Sequence, residues 1–578
     1  MTGLSDAVLK DFTTLFCATE KVVTVFSQGV NQSATGTDKV NAILNCHLEI
    51  DNPLHRVAVK EFWQGERIAR RPGFKAVEMF RAVGDGRIKA IWIIHTNPVV
   101  SMPDADAVAA ALRACPFVVV SDITAETDTA RLADVLLPAS GWGEKSGTVT
   151  NSDRSISRQR VNLPAPGLAR ADWAILAEVG VKMGWSESFD WRNEAEIFRE
   201  HAALSGVAGR LGSDFDISDH AEISDTDYAN LAPFTWPANS RQHGGRFSGD
   251  GQFHTADGRA RMLAITPQPP QMLTADLPFR LNTGRNRDQW HTMTRTAKSP
   301  RLSQHLAEPF LEVHPADSAA KGLRAADLVE VSNTHGSALL RVLITDRVAR
   351  GEVFAPMHWT GENASRARID VLVPGVVDPI SGQPDSKAAP VKISHYKADW
   401  YGFAVASAAV HPTSEYWARA RVAGGWRVEL AGKNLPEDWV AYARALFDLP
   451  EATVATVIDA KRRLARVAFH AEGQLLAALF IGPDPVALAR DHVAARLLAP
   501  DAAAALAGRP GADAPDPGPT VCACLNVGVN TLRAAIASGR ARSVAALGEA
   551  LGAGTSCGSC RPELSGLLAK FHLPEAAL

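Results

Sequence analysis

The residues best suited to chemistry lie near the end of the 578-residue chain: C-A-C at Cys522 and Cys524, then C-G-S-C at Cys557 and Cys560. Two close thiolate pairs separated by a short folded stretch make a four-sulfur cage. Such a cage takes zinc or an iron–sulfur cluster. C-x-C spacing is unusual for a zinc finger, whose paired cysteines typically have two to four residues between them. An iron cluster would make the chain an electron-transfer protein, whose other domains supply or consume electrons. The remaining cysteines, Cys17, Cys46 and Cys115, are scattered. Cys17 and Cys115 read as small buried apolar residues, the usual fate of a lone cysteine.

A second set of polar residues follows short apolar runs. I-W-I-I-H at 91–95 leads into Thr96 and Asn97, and F-V-V-V-S at 117–121 leads into Asp122 and Glu126. Each run reads as a buried strand, and residues 104–114 between them have helical spacing. The result is a β-α-β unit with a parallel sheet. Ligands bind outside the carboxyl ends of strands in such sheets. An Asp after a strand equally serves as a helix cap.

Elements further along position the rest. Short β runs bounded by Gly and Pro fill 310–359, the pattern of a compact β-barrel. Residues 466–481 read as a hairpin turning near Glu472 and Gly473. The stretch 499–520 is rich in Ala, Pro, Gly and Asp, with Leu506 its only large apolar residue. It reads as a linker that builds no core. Beyond it, Ser543 caps a helix bearing Val544, Leu547 and Leu551. Pro562 opens a last helix bearing Leu564, Leu567 and Leu568. The second cysteine pair then falls between two helices, and the first on a short loop. A module this small needs a staple such as a metal.

Composition sets the bounds. The chain is 46% hydrophobic and 21% charged, with net charge −3. Several domains are expected from its length. The charge gives no bulk attraction to nucleic acid or anionic membrane. No apolar run is long enough for a membrane span, and no secretory leader is evident. Seven cysteines in so long a chain make no disulfide framework. A reducing cytoplasm is the expected location.

Further runs carry a resemblance. The C-terminal module resembles the ferredoxin associated with bacterioferritin, a small helical [2Fe-2S] domain, through V-C-A-C-L-N-V at 521–527 and G-T-S-C-G-S-C-R-P-E-L at 554–564. The body resembles the molybdopterin oxidoreductase family, and within it the assimilatory nitrate reductase catalytic subunits. The matching runs are T-E-K-V-V-T-V-F-S-Q-G-V-N-Q-S-A-T-G-T-D-K-V-N-A-I at 19–43, the two strand ends, and G-W-G-E-K-S-G-T-V-T-N-S-D-R at 141–154. L-N-T-G-R-N-R-D-Q-W-H-T-M-T-R-T at 281–296 and V-V-D-P-I-S-G-Q-P-D-S-K at 376–387 follow in family order.

This resemblance implies an α/β multidomain protein. Its parts would be a parallel-sheet dinucleotide-type domain over 1–270, a β-barrel molybdopterin-dinucleotide-binding domain over 271–397, and an α/β segment over 398–498. A linker over 499–520 and a helical [2Fe-2S] domain over 521–578 would follow. It implies molybdenum held by two molybdopterin guanine dinucleotides. Such a ligand needs N–H groups, hydroxyls and Arg for pyrophosphate, and carboxylates for guanine and sugar. Gln28, Asn31, Thr96, Asn97, Asp122, Glu126, Glu144, Lys145 and Asn151 stand in matching runs. Thr283, Gly284, Arg285, Trp290, His291, Thr292 and Thr294 resemble the loop gripping the second cofactor, with Gln383, Pro384 and Lys387 closing over it. Cys522, Cys524, Cys557 and Cys560 would hold the [2Fe-2S] cluster.

Two departures stand against that pattern. The family's N-terminal [4Fe-4S] cysteine run and its molybdenum-binding Cys have no counterpart here, and the catalytic ligand stays unassigned. After residues 42–48 the chain also passes directly to E-I-D-N-P-L-H-R, skipping a Gly-rich stretch. The expected function is reduction of nitrate to nitrite in assimilation. Electrons would come from a ferredoxin, a flavodoxin or an NAD(P)H-dependent flavoprotein reductase. The alternatives are a formate dehydrogenase-type enzyme and a non-catalytic remnant that keeps only the iron–sulfur module.

Overall fold

Alternating apolar runs and helices in the first third of the chain fold as parallel strands. β1 (Ala90–Ile94) pairs in parallel with β2 (Phe117–Asp122), Ala90 opposite Phe117 and Ile94 opposite Ser121. β2 pairs in parallel with β3 (Val135–Pro138). Helix α1 (Ala105–Ala114) lies between β1 and β2 in sequence. A computed structural model describes residues 7, 10, 14, 53–64, 73–245, 251, 253, 255, 257–260, 270–500, 502–511 and 515–571.

The chain divides into two compact units. The first comprises Met1–Thr96, Ala110–Pro269 and Val377–Gln383. Beside the parallel sheet it holds α2 (Asp172–Lys182) and α3 (Glu194–Arg210). Asn193 caps α3 by accepting from Glu196 N at 3.0 Å, and Phe198 and Ala202 on its inner face pack with Ile217 and Tyr228.

The second unit comprises Asn97–Ala109, Pro270–Val376 and Pro384–Leu578. Its centre is a closed six-stranded barrel. The strands are β4 (Phe279–Gly284), β5 (Phe310–Val313), β6 (Leu328–Ser332), β7 (Ser337–Ile344), β8 (Glu352–Pro356) and β9 (Ala389–His395). They run in the order β5-β7-β6-β9-β4-β8, and β8 pairs back to β5. β5 with β7 and β8 with β4 are parallel pairs, so chain crossings bring loops to the barrel ends. Leu281, Leu311, Leu328, Val329, Leu340 and Val353 fill the core. Residues 97–109 join this unit: Asp104 N donates to Val373 O at 2.8 Å, and Arg368 Nη1 to Val99 O at 2.9 Å.

After the barrel come six antiparallel strands: β10 (Trp400–Ala406), β11 (Tyr416–Val422), β12 (Gly425–Gly432), β13 (Thr453–Asp459), β14 (Leu464–Ala471) and β15 (Gln474–Gly482). Their order is β11-β12-β10-β15-β14-β13. Every neighbour is antiparallel, so this segment has no β-α-β crossover, although helix α4 (Trp439–Phe447) packs on it. The β14–β15 turn is at Glu472 and Gly473, both with positive φ, which suits a tight hairpin.

The expected linker differs in its first part. Ala505 and Leu506 are buried against Phe403 and Phe480, and Arg466 holds the Ala507 carbonyl at 3.2 Å. Alanines add little side-chain entropy cost on burial, so one leucine suffices to seat the turn on the sheet.

The C-terminal module has α5 (Val529–Ala537), α6 (Val544–Leu551) and α7 (Arg561–Phe571) around Leu532, Leu547 and Leu564. Ser543 caps α6 by accepting from Ala546 N at 3.1 Å. Gly552, at φ 76°, ends it.

Candidate functional site

Three groups of side chains emerge. In the first unit, His95 follows β1, in the left-handed region at φ 53°. Its ring meets the Asp172 carboxylate at the start of α2, and Lys145 Nζ reaches the same carboxylate at 2.9 Å. Burial works to raise the Asp172 pKa, but His95 and Lys145 outweigh it and hold it down at about 2. Lys145 is therefore engaged by a residue that the sequence did not single out.

Other expected positions in this unit have local duties. Asp122 is buried and accepts from Ile123 N at 2.7 Å. Glu126 is exposed and pairs with Arg131 at 2.9 Å. Glu144 accepts from Gly141 N at 2.7 Å, closing a capping turn. Asn151 accepts from Ser152 N in an exposed hairpin turn. Thr96 is exposed after β1, and Gln383 O accepts from Asp378 N at 2.9 Å. Gln28 and Asn31 lie outside the described residues.

The second group surrounds the loop after β4, in the second unit. Thr283 Oγ1 donates to Ser386 O at 2.7 Å, and Lys387 Nζ donates to Thr283 O at 2.5 Å, tying 283 to 387. Gly284 is required there: a Cβ would sit 2.6 Å from the Phe354 ring. His291, Thr292 and Met293 have φ of 45°, 50° and 60°. Three successive non-glycine residues in the left-handed region store strain, a feature that gathers at ligand clamps. Asn97 Nδ2 donates to Thr292 Oγ1 at 3.3 Å, and Thr292 N to His358 Nδ1 at 3.3 Å. Thr294 Oγ1 donates to His291 O at 3.1 Å. Arg285 and Trp290 are exposed, and Arg295 stacks over the Trp290 ring at 5.6 Å.

His358 and Asp370 are additions to the sequence-based set. Burial first, then His291, Arg285 and Lys387, lowers the His358 pKa to about 4. The ring is neutral at pH 7; with Nδ1 accepting, its proton lies on Nε2, which finds no protein partner. Asp370 is completely buried and pushed up to about 7, opposed only by Lys387. Its Oδ1 is also unpartnered, as is Asn286 Nδ2 in the loop itself. A buried donor without a partner costs about 1–3 kcal/mol. The two unpartnered N–H groups, His358 Nε2 and Asn286 Nδ2, fit an acceptor-rich polar ligand such as a pterin dinucleotide. P-M-H-W after a barrel strand was the one signal that could have marked His358.

The third group is sulfur. Cys522 ends a short strand, Thr520–Cys522, and faces Cys560 at the start of α7. Cys524 Sγ lies 3.1 Å from Cys557 Sγ. The Ser559 hydroxyl and N–H, then Cys524, lower the Cys557 thiol to about 7. Burial, then Cys522, pushes Cys560 up to about 11. Among the described residues no three His, Cys, Asp or Glu side chains converge on a single ion position. Two facing thiol pairs instead match a cluster of two irons, each taking two thiolates. Cys115 is buried, and Cys17 and Cys46 lie outside the described residues. No described helix is long and apolar enough to cross a membrane.

Known proteins agree with this division. Residues 5–182 match the molybdopterin oxidoreductase family, 279–390 the molydopterin dinucleotide binding domain, and 520–570 the BFD-like [2Fe-2S] binding domain. A nitrate reductase from Klebsiella oxytoca is 38% identical over 98% of this chain and 70% of its own length. One from Shewanella frigidimarina is 38% identical over 68% of this chain and 48% of its own. An F420-dependent formate dehydrogenase alpha subunit from Methanocaldococcus jannaschii is 30% identical over 58% and 47%. The chain thus spans about half the length of the latter two. With its parallel sheet, its closed barrel and a cysteine-bearing helical module, the chain belongs to the molybdopterin oxidoreductase family, among its nitrate reductases.

Proposed function

We propose that the chain serves molybdenum-dependent reduction of nitrate to nitrite in nitrate assimilation. The observation that carries this reading is the similarity to a nitrate reductase along 98% of the chain. The reaction consumes two electrons and two protons per nitrate and releases nitrite and water. A bound molybdenum–pterin group would supply the oxygen-atom-transfer chemistry.

The chain's own residues have holding and orienting roles. Arg285 offers charge to a pyrophosphate. Asn286 Nδ2 and His358 Nε2 are N–H donors that await acceptors. Asp122 and Glu126 lie at the carboxyl end of β2, where the nucleotide of a guanine-type cofactor would be read. Thr96, Glu144, Lys145 and Asn151 shape other segments of the first unit, and Asn97, Thr292 and Lys387 shape segments of the second. Cys522, Cys524, Cys557 and Cys560 would hold a [2Fe-2S] cluster that relays electrons from a ferredoxin, a flavodoxin or an NAD(P)H-dependent flavoprotein in the cytoplasm.

The test is turnover by the chain purified anaerobically with its cofactors. Reduced viologen and nitrate should yield nitrite in equal amounts with nitrate lost. Formate-driven viologen reduction without nitrite formation would favour the dehydrogenase reading, which the formate dehydrogenase similarity supports. Neither reaction, with molybdenum bound, would reject catalysis by this chain.

A further inference from the structure

The iron–sulfur module and the barrel share a half-buried ionic contact that the cofactor sites do not explain. Arg287, in the loop after β4, donates from Nη1 to Glu563 Oε2 on α7 at 2.6 Å, and from Nη2 to Val521 O at 2.9 Å. Its Nε reaches Asp288 Oδ2 at 3.1 Å. His305 completes the group. Its Nε2 lies 3.2 Å from Glu563 Oε1, and its Nδ1 is at ion-pair distance, 3.1 Å, from Asp288 Oδ2, without alignment for a hydrogen bond. The Arg287, Asp288 and His305 side chains are only 17%, 13% and 14% exposed.

Two positive and two negative groups, counting His305 as protonated, cancel in this pocket. Removing one would leave a half-buried charge unpaired, which is strongly destabilising for buried pairs. Next to the contact is a cavity of about 650 Å³. Cys524, Cys557 and Ser559 line one part of it, and Arg285, Trp290 and Arg301 another. The thiol pair of the module therefore opens toward the loop whose backbone is strained.

We propose that this contact is an intramolecular dock. Arg287 and His305 are positioning residues that seat the iron–sulfur module on the 285–305 loop and fix its Cys524–Cys557 edge against the proposed cofactor loop. The module is a seated relay, and the segment before it does not act as a swinging arm. The assignment rests on the reading of the module as the electron relay. It adds that relay requires one seat, built by charge.

Hydrogen exchange on the full-length, iron-loaded chain tests the dock, with peptides covering 285–305 and 520–524 as reporters. Arg287→Glu alone, and Glu563→Arg alone, should speed exchange there by about tenfold or more, with iron content unchanged. Combining the two reversals should restore protection to within about threefold of the parent, since the pair is re-formed with opposite sense. Unchanged exchange in both single variants, or no recovery in the double variant, overturns the dock. Loss of iron from the single variants also overturns it, because the contact would then hold the cluster. A parent chain that carries no iron fails the relay reading separately, while exchange in that chain still reports whether the contact exists.

Discussion

At the residue scale, the four cysteines were legible because metal ligation demands a donor type at short spacing. The side chains around them were not. Glu563 reads as a helix-start carboxylate and Arg287 as one more cation, since their pairing joins residues 276 positions apart. Two predictions belong here. Cys522→Ser should leave under about one iron per chain and bleach the visible absorption, because each iron needs both of its thiolates. His305 gives a pH dependence. Burial lowers its pKa, but Asp288 and Glu563 together raise it above the ordinary value, with Arg287 opposing. A raised pKa means a contribution fully present below about 6.5 and lost as pH rises through the folded-state value. Protection of 520–524 should fall more steeply than in His305→Gln as pH rises above about 6.5. Equal profiles would remove His305 from the account.

At the element scale, the strand–helix–strand run, the barrel strands, the hairpin at Glu472, the cap at Ser543 and the helix opening at Pro562 followed from period and turn chemistry. The loop after β4 did not announce its strain: three consecutive left-handed residues, His291 to Met293, are set by tertiary contacts rather than by propensity. The expected linker differs at Leu506, which is buried in one cluster with Phe403 and Phe480. Gly284→Ala tests the tightness of the β4 exit. Its Cβ would meet the Phe354 ring at 2.6 Å, and overpacking of that kind costs about 1–3 kcal/mol. A urea midpoint unchanged from the parent would mean that the ring moves aside freely.

Between elements, Glu429 on β12 is buried and holds Arg490 at 2.9 Å, with Arg341 of the barrel at 3.8 Å. Arg341 also donates to Glu308 at 3.0 Å. This network joins barrel and sheet. Glu429→Ala should destabilise the chain by about 3–5 kcal/mol, since it strands buried guanidinium groups. Burial works against the Glu429 charge, yet Arg490 and Arg341 hold its pKa below the usual value. Its contribution is therefore present at neutral pH and lost on acidification through that lowered value. A thermal midpoint that does not fall in the variant would contradict the network's role.

At the scale of the whole molecule, three pieces of chemistry share one chain: a parallel sheet with polar strand ends, a barrel with unpaired buried donors, and a paired-thiol module seated on that barrel. Family order along the sequence made the set legible. What it hid was assembly, because docking depends on charges brought together by folding. The central claim is that the thiol pairs hold two irons and the body holds molybdenum. Elemental analysis of the anaerobically purified chain measures both directly. About two irons and about one molybdenum per chain are expected, with negligible zinc. Zinc near one per chain with neither iron nor molybdenum would contradict it.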